Sequence, residues 1–103
     1  MKVMNINGNL YNLDMLVGIR KEVDFTGNFV QLTFSFVTND ITSYSDHTDC
    51  KECTVIKAIC DVETKITIAD QFLNMVTTKI VSGANVIRVS ELLDTATKMV
   101  IKE

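Results

Sequence analysis

Proline and tryptophan are absent from this 103-residue chain, and histidine occurs once. A single imidazole leaves few parts for general acid–base work. The four glycines, Gly8, Gly18, Gly27 and Gly83, stand alone, so neither a P-loop nor a dinucleotide fingerprint can be assembled. No apolar run approaches the roughly 18–20 residues a membrane span needs, and no secretory leader pattern is visible. Charges are spread without blocks of like sign, and there is no serine- or glycine-rich linker. Thirteen acidic against ten basic side chains give a net charge of −3. That balance argues against a general nucleic-acid binder, which needs a basic surface. Three cysteines cannot all pair within one chain, which predicts a reduced, cytoplasmic setting.

What is present reads as one α+β domain spanning residues 1–103. Hydrophobic residues make up 47% and charged residues 22%, close to an average globular domain. Val3, Met4, Asn5 and Ile6 alternate into the turn dipeptide Asn7-Gly8, so residues 1–20 predict a hairpin with an irregular return. A bulge or helical turn at 14–17 interrupts that return. Gly27-Asn28 marks a second turn, between strands 22–25 and 28–38. In the latter, Val30, Leu32, Phe34 and Phe36 share one apolar face. Thr38-Asn39-Asp40 turns the chain and residues 41–44 return it, giving an antiparallel N-terminal sheet of about four strands.

The period then changes. Asp49 with Glu52 approximates a capping box, and Cys53, Ile56, Ile59 and Cys60 recur at helical spacing, predicting a helix over 49–62. Residues 63–66 predict a tight connection. Thr67, with Asp70 behind it, predicts the start of a second helix whose apolar stripe is Ala69, Phe72, Leu73, Val76 and Ile80. Gly83 stands where a left-handed C-terminal residue belongs. Residues 86–89 predict a strand, 90–95 a turn or one helical turn, and 97–102 a last strand. The chain would then close on a C-terminal β-hairpin.

The most suggestive chemical spacing is His47-x2-Cys50-x2-Cys53-x6-Cys60. Thiolates and an imidazole are the usual zinc ligands. If 49–62 is a helix, however, Cys53 and Cys60 lie on its buried stripe, and Cys50 falls about 15 Å from Cys60, too far to share an ion. Core cysteines are the favoured reading, with no metal and no cofactor. His47 beside Cys50 also suggests a thiol and its base, but no orienting group or oxyanion site accompanies them. The carboxylates Asp46, Asp49, Glu52, Asp61, Glu63 and Asp70 read as caps and solvated faces. The chain therefore reads as a non-enzyme.

Arginine occurs twice, as Arg20 and Arg88. Arg88 reads either as a solvated strand residue or as an anion-gripping fork facing a cleft. Phe72 reads as core or, in a groove, as a base-stacking platform. Oligomerisation has firmer footing. Ile68 and Met75 lie off the helix stripe, and Met99-Val100-Ile101 would be a strand apolar on both faces, which wants cover on both sides. A homodimer with a packed or swapped C-terminal hairpin is the expectation.

The proline-free, asparagine- and threonine-rich composition, with its order of sheet, two helices and closing hairpin, resembles small phage proteins. The layout is similar to the phage Thoeris anti-defence sponges, which sequester cyclic nucleotide immune signals. That resemblance implies a cyclic nucleotide or ADP-ribose-type ligand held between protomers by aromatic stacking and basic side chains. By residue type, Arg88, Phe72, Arg20 and Asn85 are the candidates, in the cytosol of an infected host. Two other readings stand beside it. One is an acidic inhibitor of a defence nuclease, presenting residues 40–49 with Asp61 and Glu63. The other is an unspecialised homo-oligomeric interaction domain.

Overall fold

A computed structural model describes residues 2–38 and 48–101. Strand β1 (Val3–Ile6) turns through Asn7-Gly8 into β2 (Asn9–Asn12). Both turn residues have positive φ, 55° and 86°, the left-handed pair that a two-residue hairpin demands and that asparagine and glycine tolerate. The expected helical turn is a 3-10 turn at Leu13–Met15, in which the Asn12 side chain accepts from the Asp14 N–H. The chain emerges as β3 (Leu16–Val23), with a bulge between Leu16 and Gly18, and β4 (Val30–Thr38) pairs antiparallel to it.

β5 (Thr48–Val55) continues the antiparallel sheet on the far side of β4. A helix over 49–62 is therefore not formed. Cys50, Glu52 and Thr54 stand opposite Phe36, Phe34 and Leu32. Isoleucine 59, expected on the buried stripe, is fully exposed. The ladder to β4 outweighs a weak helical spacing, as tertiary context commonly does. The expected return strand 41–44, the turn at 39–40 and His47 lie outside the described residues.

Helix α1 (Val62–Val81) begins five residues before the expected Thr67 cap and absorbs the expected connection at 63–66. Its N-cap is Asp61, whose carboxylate accepts from the Thr64 N–H at 3.0 Å. Hydrogen bonds from the Thr64 side chain and backbone hold that carboxyl below its ordinary value, the usual effect of bonding to the charged form. Ala69, Phe72 and Val76 are buried as expected, and Ile68 is fully buried with them. Ile80 is 42% exposed.

A Schellman ending follows. The Gly83 N–H donates to Ile80 and the Ala84 N–H to Lys79, both at 3.1 Å, with Gly83 at φ +79°. These bonds satisfy carbonyls the helix would otherwise leave open.

Strand β6 (Val86–Arg88) pairs in parallel with β1, with Met4 opposite Ile87. It leads directly into α2 (Val89–Val100). The expected last strand and closing hairpin are thus not present. Val89, Leu92 and Ala96 are buried on α2, and Leu93 and Val100 pack against the core. That is the i, i+3, i+4 spacing of a helix face. Thr95 and Thr97 turn their hydroxyls back onto the carbonyls of Glu91 and Leu93. Their β-branching is therefore accommodated within the helix.

Among the described residues two three-stranded sheets result, β2-β1-β6 and β3-β4-β5, and the expected four-stranded N-terminal sheet is not seen. Helix α1 packs on the apolar face of β4, where Phe72 meets Phe34, and α2 packs on α1 and β1. One core cluster, from Met4 and Ile6 through Phe34 and Phe72 to Ile87 and Ala96, runs under both sheets.

Candidate functional site

The parallel pairing of β6 decides where the cations go. Along Val86–Arg88 the burial alternates exposed, buried, exposed, so Ile87 points into the core while Val86 and Arg88 point outward. Arg88 is also the N-cap position of α2, with extended backbone and no side-chain cap bond. Ahead of it, the Schellman turn brings the last two turns of α1, with Met75 and Lys79, alongside. Behind it come Glu91 and Thr95 on successive turns of α2. Together Met75, Lys79, Val86, Arg88, Glu91 and Thr95 line a cavity of about 430 Å³, floored by Ile87 and Leu92.

A shallower hollow of about 240 Å³, lined by Gln71, Asn74 and Thr78, adjoins it and shares Met75, Lys79 and Leu92. The two form one groove between α1 and α2. By count its ionisable lining is two cations, Lys79 and Arg88, against one carboxylate, Glu91. Arg88 Nη1 stands 3.9 Å from Glu91 Oε1, with both side chains mostly exposed. Such a long, solvated pair holds the guanidinium weakly, and Arg88 keeps most of its donors for another partner.

Of the four residues proposed by type, this groove gathers Arg88 alone. Asn85 lies just before the groove's Val86 and is exposed, and its carbonyl accepts from the Val3 N–H at 2.9 Å. Phe72 has no exposed surface and meets Phe34 edge-on with ring centroids 6.2 Å apart. Arg20 lies in the other sheet, on β3, with Nη1 3.6 Å from Glu22. Lys79 was visible in the sequence only as one of several scattered lysines. The signal that places it is its position four residues before Gly83, with Arg88 five residues after.

A second cavity of about 350 Å³ lies between the Asn7 turn, the end of β5 and α2, where Lys57, Ser90, Asp94 and Thr97 supply its polar lining. Beside it sits a polar cluster joining the two sheets. The Tyr11 hydroxyl donates to Glu52 Oε2 at 2.5 Å, and the Asn7 amide donates to Glu52 Oε1 at 3.2 Å and to the Cys53 carbonyl at 3.1 Å. The Tyr11 ring lies flat on Phe36, centroids 4.5 Å apart. Its bond to Glu52 and its desolvation push the Tyr11 phenol up to about 12. The same bond, with that from Asn7, lowers Glu52.

Cys50 and Cys53 fall three apart on one strand and so face opposite sides of the sheet. Cys50 is half-buried opposite Phe36, Cys53 is exposed opposite Thr33, and Cys60 is half-buried ahead of α1. None belongs to a buried helical stripe, which corrects that expectation. Among the described residues no three His, Cys, Asp or Glu side chains come together as metal ligands. No described helix is long and apolar enough to cross a membrane. Comparison with protein families, curated proteins and solved structures finds no match to this chain.

Proposed function

We propose that this is a non-enzymatic binding protein that holds a small anionic ligand of nucleotide type in the α1–α2–β6 groove. The observation that carries this reading is the meeting of Lys79 and Arg88 at one cavity of about 430 Å³ with Met75, Val86 and Leu92 beside them. Cations suit a phosphate, and the apolar lining suits a flat organic body. The volume falls within the roughly 300–1,000 Å³ range of small-molecule sites. The uncapped first turn of α2 adds backbone N–H groups near Arg88, which favour a negative charge. Glu91 tempers the field and would accept from a sugar hydroxyl or an amino group. Binding of this kind is what a signal-sequestering protein of the sponge type would require.

Thermal melting with a panel of cyclic, linear and ADP-ribose-type nucleotides tests the reading. A ligand at 100 times its Kd stabilises by about 2.7 kcal/mol, a clear rise in Tm for a chain of this size. Arg88→Ala and Lys79→Ala should each abolish most of the rise while leaving the unliganded melt intact. No rise with any nucleotide would reject the proposal, as would a rise that both variants retain.

A further inference from the structure

The β3 edge is the least protected part of the second sheet. The Asp24 N–H donates to the Phe29 carbonyl and the Ile56 N–H to the Val30 carbonyl. Odd-numbered residues of β4 therefore bond toward β3, and even-numbered ones toward β5. Glu22 and Arg20, opposite Gln31 and Thr33, face β4 with their backbone groups. The N–H and C=O groups of Ile19, Lys21 and Val23 point away from the sheet, where none of the described strands lies.

The opposite edge is treated differently. On β5 the Asn7 side chain caps the outward carbonyl of Cys53. Along the β3 edge, Val17 is 67%, Val23 46% and Phe25 98% exposed. An open ladder flanked by exposed apolar side chains is a template for another strand.

We infer that a second copy of this chain occupies that edge, β3 against β3 antiparallel, making one continuous six-stranded sheet. The charge pattern is self-complementary and selects the register. With Lys21 opposite Lys21 at the two-fold axis, Arg20 of each strand faces Glu22 of the other, and Ile19 faces Val23. Val17 of each strand is carried toward the Phe25 end of its mate. A slip one way opposes Arg20 to Arg20, and a slip the other way opposes Glu22 to Glu22; like charges directly opposite are unfavourable. The facing lysines are already compensated, because each Lys21 Nζ lies 2.6 Å from Asp70 of its own α1. A two-fold edge contact of this kind closes on itself, so the assembly stops at two. The inference is independent of the α1–α2–β6 groove, which lies on other elements.

Light scattering across a concentration series is expected to give twice 11.5 kDa, with dissociation favoured by salt. Arg20→Glu or Glu22→Arg turns both cross-strand attractions into repulsions and should weaken the dimer at least about tenfold. The double exchange Arg20→Glu with Glu22→Arg should restore it. Val23→Pro removes an outward N–H without touching the β4 ladder and should also give monomer, with circular dichroism and melting confirming the fold of each variant. A wild-type monomer at all concentrations overturns the inference. So does a dimer indifferent to Arg20→Glu and Val23→Pro, or a charge exchange that fails to restore association.

Discussion

Glu52 sits on the inner face of β5 opposite Phe34, where an apolar residue would be the ordinary choice. The hairpin of the first sheet explains it. Tyr11 and Asn7 both donate to the carboxylate, and the Tyr11 ring at the same time covers Phe36. The bond requires Glu52 ionised and Tyr11 neutral, which sets its pH window. Glu52 is depressed in the folded chain, so its contribution is complete above its ordinary value of 4.5 and fades as pH falls through the lower folded value. Tyr11 is raised from 10.0 to about 12, so its contribution is complete below 10.0 and disappears as pH rises through about 12. Tyr11→Phe keeps the stack and deletes the bond. It is expected to cost about 1 kcal/mol at neutral pH, and less at the acid extreme, where Glu52 is protonated in both proteins. Denaturant unfolding at neutral and acid pH measures this; a cost that stays constant down to the acid limit contradicts the ionic account. Asparagine at position 7 serves twice, since it also adopts the positive φ of the turn.

At the scale of elements, the junction α1–Gly83–β6–α2 positions the groove. Lys79 ends one helix and Arg88 begins the next, and the Schellman turn between them fixes how closely they approach. A Cβ on Gly83 meets nothing within 4 Å, so Gly83→Ala carries only the backbone cost of φ +79°, about 1 kcal/mol. Melting should register that loss. Nucleotide binding should weaken further if the turn relaxes, while a stability unchanged by Gly83→Ala would mean that the left-handed turn is not retained.

This junction also shows what was legible. Gly83 as a helix end, Asn7-Gly8 as a hairpin and the alternating Val30-to-Phe36 row follow from local chemistry, and they stand in the structure. The segments misread, β5 and α2, are those whose period is hidden by their partners. β5 turns a polar row of Cys50, Glu52 and Thr54 inward, tolerable only because Tyr11 and Asn7 arrive from 41 and 45 residues away. The valine- and threonine-bearing end of α2 mimics a strand until Leu92, Leu93 and Ala96 are read with Val100. For the site, Arg88 was legible as one of two arginines. Its meeting with Lys79 was not, because that depends on β6 choosing β1 as a parallel neighbour.

That choice governs the whole molecule. β1 pairs with β6 across more than eighty residues of sequence, and the Val3 N–H bonds to the Asn85 carbonyl. Two segments far apart in sequence, β1 and β6, are therefore tied into one sheet. Contacts of such long sequence separation form late and slow folding, but they also couple the parts. Met4, Ile6 and Ile87 of the first sheet belong to the same buried cluster as Phe34 and Phe72 under the second. Phe72→Ala removes a fully buried ring from that cluster and is expected to cost about 3–5 kcal/mol, a large share of the roughly 5–15 kcal/mol a domain of this kind holds. The loss should not stay local. If the shared core makes the sheets one cooperative unit, slowly exchanging amides of β1 should lose protection by the same free energy as those of β4. Hydrogen exchange on Phe72→Ala decides it: protection lost in β4 but kept in β1 would mean two sheets that open separately, joined by the chain and by the contacts of Tyr11 and Asn7 with Glu52, Cys53 and Phe36.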